Sequence, residues 1–194
     1  MIPFILALSL CAAAPAVPFS PADNPRVLLR TEMGDITIEV AADKAPATAA
    51  NFLRYVDAGL YDGTVFHRTV TKASPRNQPV SIEVIQGGQV AGAKSFPASP
   101  LERTSASGLR HEDGAVSMAR SGPDTATSSF FICLGDQPEL DFGGRRNADG
   151  QGFAAFGRVV AGMEVVRRIH ASPVDEREQL TPPIKILSVA RIPL

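Results

Sequence analysis

Short runs of alternating hydrophobic and polar residues recur along the chain, and they predict strands. Ile36, Ile38 and Val40 alternate with Thr37 and Glu39 after Gly34-Asp35, while Val27-Leu28-Leu29 precedes that turn, so the two runs form a predicted β-hairpin. After Pro46 the period lengthens. Phe52, Tyr55 and Val56 fall at i, i+3 and i+4, which predicts a helix over 47–58 with Pro46 at its start and Gly59 as its C-terminal cap. Further strands are predicted over 64–70, 81–86, 114–120, 128–134, 152–160 and 184–191, with a short helix over 163–169 and a loop over 90–109. There is no internal repeat and no linker within 26–192. Many short strands and two helices predict a mainly β domain, a closed antiparallel barrel with a helix over each end.

The first 22 residues carry no charge, and positions 2–14 are apolar apart from Ser9, too short a run to span a bilayer. Pro15, Pro18 and Pro21 follow, and Ala14-Pro15-Ala16 has the small-x-small pattern of a cleavage site. Residues 1–16 therefore read as a signal peptide and 17–25 as a Pro-rich linker, which predicts a periplasmic or secreted protein. No Lys or Arg precedes the apolar run, so an uncleaved membrane anchor stays open as the alternative. Leu8-Ser9-Leu10-Cys11 approaches a lipoprotein signal, but Leu10 stands where that signal needs a small residue.

Composition narrows the class. The 194 residues are 44% hydrophobic and 20% charged with net charge -1, as in an ordinary globular domain, and this balance gives no electrostatic reason to expect nucleic acid as a partner. With Cys11 in the cleaved segment, Cys133 is alone inside an apolar run, where an inert core residue is expected rather than a nucleophile.

Several chemistries are excluded by pattern. His67, His111 and His170 are isolated from one another, so no zinc spacing exists, and no metal or cofactor is expected. Gly-x-x-x-x-Gly-Lys-Ser/Thr and Gly-x-Ser-x-Gly are both absent. What remains is an apolar wall beside a cation, and Ser128-Ser129-Phe130-Phe131-Ile132-Cys133-Leu134 with Arg68 offers both. Taken alone, the two Phe read as ordinary core, Arg68 as a strand Arg paired with a carboxylate, and Gln86-Gly87-Gly88 as a strand end with a bulge.

Five ordered motifs go further: Phe66-His67-Arg68, Gln86-Gly87-Gly88, Gly114-Ala115-Val116-Ser117-Met118-Ala119-Arg120, Ser128-Ser129-Phe130-Phe131-Ile132 and Ala155-Phe156-Gly157-Arg158-Val159. In order and context they resemble the cyclophilin family of peptidyl-prolyl isomerases, and Pro46-Ala47-Thr48-Ala49-Ala50-Asn51-Phe52 resembles its first helix. The resemblance spans nearly all of 27–192. It implies an eight-stranded antiparallel barrel capped by two helices, and catalysis of cis/trans rotation about Xaa-Pro bonds in client proteins. By position it implies Arg68 as the catalytic cation, with Phe131 and Leu140 lining the proline pocket. Gln86 would orient Arg68 or hold substrate backbone, and Ala119 and Arg120 would offer backbone to the peptide. A monomer is expected.

Departures from the family pattern bear on the pocket. Glu83 and Val84 stand where Phe and Met are usual, Ser129 replaces a frequent Gln, and Phe153 stands where His or Tyr is common. Arg120 replaces a frequent Asn, and Glu139 a frequent Trp, from which weak cyclosporin binding is expected. In a regular strand Val84 and Gln86 share one face and Glu83 takes the other. A bulge would instead turn Glu83 towards Arg68, and a weak isomerase or a proline-peptide-binding module is the alternative reading.

Overall fold

The computed structural model describes residues 24–73 and 80–193. The predicted signal peptide 1–16 with Cys11, residues 17–23 of the predicted linker, and Pro75 and Pro79 lie outside the described residues. Eight strands alternate with turns: β1 (Arg26–Thr31), β2 (Gly34–Val40), β3 (Val65–Val70), β4 (Val84–Gly87), β5 (Ala115–Met118), β6 (Phe130–Cys133), β7 (Ala154–Ala161) and β8 (Gln179–Ile192). They form a closed barrel in the order β1-β2-β7-β5-β6-β4-β3-β8, with antiparallel pairing throughout, so no strand edge is left open.

Three helices accompany the sheet: α1 (Pro46–Asp57), the single turn α2 (Thr104–Ser107) and α3 (Met163–His170). α1 packs against β7 and β8, and α3 against β2, β3 and β4. Among the described residues no helix is long and apolar enough to cross a membrane.

The aromatic face predicted for α1 enters the core. Phe52 lies 5.3 Å from Tyr61, 5.7 Å from Phe130 and 4.9 Å from Phe156, ring centre to ring centre, in tilted and edge-on packings that aromatic quadrupoles favour. No acidic residue lies in the first turn of α1. Glu102 supplies the missing carboxylate from the long loop, accepting from the backbone N–H of Ala47 at 3.1 Å and of Thr48 at 2.7 Å. Farther along the helix, Asn51 donates to the carbonyl of Thr127 at 2.6 Å, which ties α1 to the segment entering β6.

β5 and β6 are trimmed by one or two residues at each end relative to the sequence expectation, and three differences go further. β4 starts at Val84 instead of residue 81, although the carbonyl of Glu83 still accepts from Leu134 N–H at 3.0 Å. β8 starts at Gln179 instead of residue 184, because Pro182 and Pro183 lie where the pairing with β3 shifts register between Phe66 and Arg68 and no regular ladder N–H is required. The loop over 90–109 also contains α2, which Gly108 ends in a left-handed conformation at φ 72°.

Candidate functional site

Arg68, Gln86, Phe131 and Ser117 are successive cross-strand partners on β3, β4, β6 and β5, and form one row across the barrel wall. Their chain neighbours Ile85, Ile132 and Val116 belong to the main core, so pleat alternation turns the row outward. Phe130 likewise packs inside while Phe131 joins a second apolar cluster with Val84 and Leu140. The glycines of Gln86-Gly87-Gly88 permit this arrangement. A Cβ on Gly87 would sit 2.7 Å from the Phe66 ring, and Gly88, at φ 70°, leaves no room for one beside Phe130.

Over that row lies an open cleft of about 240 Å³. Arg68 and Gln86 line one side; Val84, Phe131 and Leu140 form an apolar floor; Ala119, Arg120 and Phe153 complete the far wall. Eight of the nine residues singled out in the sequence thus share one cavity. The ninth, Ser129, does not line it but accepts from the Gln86 side-chain amide at 3.2 Å and donates to the Gly87 carbonyl at 3.2 Å. Ile82, Arg146 and Asn147 also line the cleft and were not anticipated. Arg146 donates to the carbonyl of Val80 at 3.0 Å, a contact no local pattern encodes.

The guanidinium of Arg68 is held from two sides. Nη1 donates to Gln86 Oε1 at 3.2 Å, while Nε and Nη2 donate to Glu178 Oε2 at 3.0 and 2.5 Å. Glu178 therefore supplies the carboxylate expected beside a strand Arg, and its side chain is only 2% exposed. Glu83 has a different partner, Lys72, at 3.1 Å, so the departure that threatened Arg68 in the sequence turns away from it. Neighbouring His67 has its pKa held below the ordinary imidazole value by burial and then by the charge of Arg68.

Arg120 is more than a backbone contributor. Its side chain is 1% exposed; Nε donates to the Gly152 carbonyl at 2.7 Å, and Nη1 and Nη2 clasp the two Asp149 oxygens at 2.8 and 2.9 Å. Those bonds hold the Asp149 carboxyl down to about 2, with the Arg120 hydrogen bonds as the largest cause. The guanidinium also lies 5.2 Å over the Phe153 ring. A cleft wall otherwise made of loop is thereby fastened to the end of β5.

His111 is a supporting residue that the sequence did not reveal. It is buried and stacks on Phe131 at 5.9 Å; Nδ1 lies 2.7 Å from Asp141 Oδ1 and Nε2 3.0 Å from Ser117 Oγ. Its carbonyl accepts from Gln137 N–H at 2.7 Å, just ahead of the 3₁₀ turn Pro138–Leu140 that presents Leu140. Phe153 packs edge-on against Phe131 at 5.4 Å, so the floor is braced from two directions. Arg110 and Glu112 flank His111 and read as solvated loop, which concealed it. Cys133 is buried and burial raises its thiol pKa, so it is core and no nucleophile. Among the described residues no group of His, Cys, Asp and Glu could hold a metal ion.

Comparisons with known proteins agree with one another. The family model described as cyclophilin type peptidyl-prolyl cis-trans isomerase matches residues 26–191. Peptidyl-prolyl cis-trans isomerase A of Dickeya dadantii is 38% identical over 168 residues, covering 85% of this chain and 80% of its own. Peptidyl-prolyl cis-trans isomerase B of Escherichia coli is 36% identical over 146 residues, covering 74% and 82%. A crystal structure of a Cryptosporidium parvum cyclophilin-type isomerase superposes with TM-score 0.69 at 24% identity over 88% of this chain and 99% of that one. A second structure of that protein, in the presence of the dipeptide Ala-Pro, gives TM-score 0.68 over 87% and 99%.

Proposed function

We propose that this chain, which belongs to the cyclophilin-type peptidyl-prolyl cis-trans isomerase family and is such an enzyme, acts through Arg68 over the apolar floor of the described cleft. The observation that carries this reading is the fixed guanidinium on one side of a cavity floored by Phe131, Leu140 and Val84. Rotation about Xaa-Pro is slow, with a barrier on the order of 18–20 kcal/mol, because the amide resonance must be broken; no covalent bond forms or breaks.

As the bond twists, the prolyl nitrogen recovers its lone pair and becomes an acceptor that neither planar isomer offers. An Arg68 N–H aimed at that nitrogen binds the twisted state selectively, and each ~1.4 kcal/mol of selectivity is tenfold in rate. A guanidinium suits this task since it stays protonated throughout the neutral range. The proline ring would sit against Phe131, Leu140, Val84 and Phe153, with Gln86 holding Arg68 or the substrate backbone. Ala119 and Arg120 would offer backbone groups to the peptide. One Cryptosporidium parvum structure was determined in the presence of the dipeptide Ala-Pro, and a short Ala-Pro peptide is a suitable probe here.

NMR exchange on that peptide tests the reading. Wild type should speed exchange over background and Arg68→Ala should lose most of the gain through kcat; equal rates in the two proteins would refute the assignment of Arg68.

The substrates in this reading are Xaa-Pro segments of exported proteins, and the enzyme acts as a monomer in the periplasm or outside the cell. Support comes from the uncharged apolar run and the small residues around residue 16. Mass spectrometry of the protein recovered from the periplasm should give a mature N-terminus near residue 17; an intact Met1 in a membrane fraction would point to the anchor instead. Cyclosporin should bind weakly, because Glu139 is paired with Arg145 at 2.7 Å and offers a charged surface, an expectation that tight binding in calorimetry would overturn.

A further inference from the structure

We infer that Glu178 is a positioning residue for the isomerisation, an inference that rests on the reading of Arg68 as the catalytic cation. Glu178 lies 110 positions away in sequence, yet one of its carboxylate oxygens receives both Nε and Nη2 of Arg68. With Nη1 on Gln86, three of the five guanidinium N–H donors are engaged, and from two opposed sides. That fixes both the plane of the group and its rotation about the side-chain axis. An unbraced Arg samples many rotamers and would have to be ordered in the transition state; a braced one is already ordered.

The backbone is built to deliver this carboxylate. Glu178 is one of two non-glycine residues with positive φ among the described residues, at 66°, a conformation that an L side chain seldom adopts without a reason. Three sets of bonds hold it there. Its N–H donates to the Asp175 carbonyl at 3.0 Å, and its carbonyl accepts from Thr69 N–H at 3.0 Å. The Asp175 side chain accepts from Arg177 and Gln179 N–H, each at 2.8 Å. The left-handed residue immediately precedes Gln179, the β8 residue paired with Arg68, so the strained turn and the guanidinium face one another. Glycine would suit that conformation better and would carry no carboxylate.

Glu178→Gly uses this fact as a test, since it keeps the turn's preferred backbone while deleting the acid. It should fold with a melting temperature close to wild type and lose about 10- to 100-fold in kcat with KM nearly unchanged, as expected when a catalytic group is loosened and not removed. Glu178→Gln retains an acceptor oxygen for Nε and Nη2 and should recover most of that loss. Arg68→Ala is run beside them. If Arg68→Ala is inactive while Glu178→Gly matches or exceeds wild type, the inference falls and the Arg68 reading stands. If Arg68→Ala keeps wild-type kcat, both fall together. A Glu178→Gly loss expressed only in KM, or no recovery in Glu178→Gln, also overturns the positioning role.

Discussion

Phe131→Ala separates the work of the apolar floor from that of the cation. The ring is 4% exposed and lies between His111 at 5.9 Å and Phe153 at 5.4 Å. Truncating a buried Phe to Ala costs ~3–5 kcal/mol. The lower end applies, because the space left opens into the cleft and fills with water. At ~2–4 °C per kcal/mol for a domain of this size, the melting temperature should fall by about 6–12 °C, leaving the protein folded at 25 °C. The effect on catalysis has a different character. In the proposed reading a proline ring presses on Phe131 equally in the planar and twisted states, so losing the wall removes uniform binding worth ~1.5–3 kcal/mol, or about 10- to 150-fold in kcat/KM. That loss should appear in KM, with kcat changed little. NMR exchange at a series of Ala-Pro peptide concentrations, with circular dichroism melting as the control, resolves the two. A folded Phe131→Ala with unchanged KM and reduced kcat would refute the assignment of the floor to ground-state binding. Phe131→Leu, which keeps an apolar surface, should restore most of the affinity.

Three further outcomes are expected. Ser129→Ala frees the Gln86 amide, which Ser129 contacts at 3.2 Å, and at ~0.5–1.5 kcal/mol per neutral hydrogen bond kcat/KM should fall about 2- to 10-fold; an unchanged value would show that Gln86 needs no such anchor. Glu83→Ala should leave the rate within about twofold, because its partner Lys72 is 81% exposed and such pairs are worth ~1 kcal/mol or less, whereas a tenfold gain would mean that Glu83 competes for Arg68. His67 is held below the ordinary imidazole pKa in the folded protein, so as pH drops below about 6.5 the unfolded chain takes up a proton that the folded chain resists. Its contribution to stability is complete above that pH and disappears as pH falls through the folded value. Urea midpoints at pH 7.5 and 5.5 should therefore differ more in wild type than in His67→Asn, and equal differences would rule this out.

The fold was legible because its evidence is local. Ile36, Ile38 and Val40 alternate on β2, Phe52, Tyr55 and Val56 stripe α1, and Gly59 ends it at φ 63°, so each element announces itself within a few residues. Failures occurred where local chemistry and tertiary pairing disagree. Pro182 and Pro183 argue against a strand, yet β8 runs through them, since the shift in its pairing with β3 falls at that point. Ser81-Ile82-Glu83 alternates like a strand but leads into β4 without joining it, with Ile82 at the cleft and Glu83 on Lys72.

The site divides along the same line. Residues borne on strands, Arg68, Val84, Gln86 and Phe131, were readable through the resemblance to the cyclophilin family, and the pleat puts them on one face once the strands are paired. The groups that brace them, Glu178 behind Arg68 and His111 behind Phe131, sit in turns whose neighbours are charged, and turn composition describes solvent contact without describing what a turn packs upon. For Arg68 the plain and the functional readings therefore do not compete. A strand Arg was expected to find a carboxylate, and it does; the same carboxylate is what holds the guanidinium at the rim of an apolar cleft. The long-range partner converts a flexible cation into a fixed one, and a fixed cation is what selective binding of a twisted amide requires.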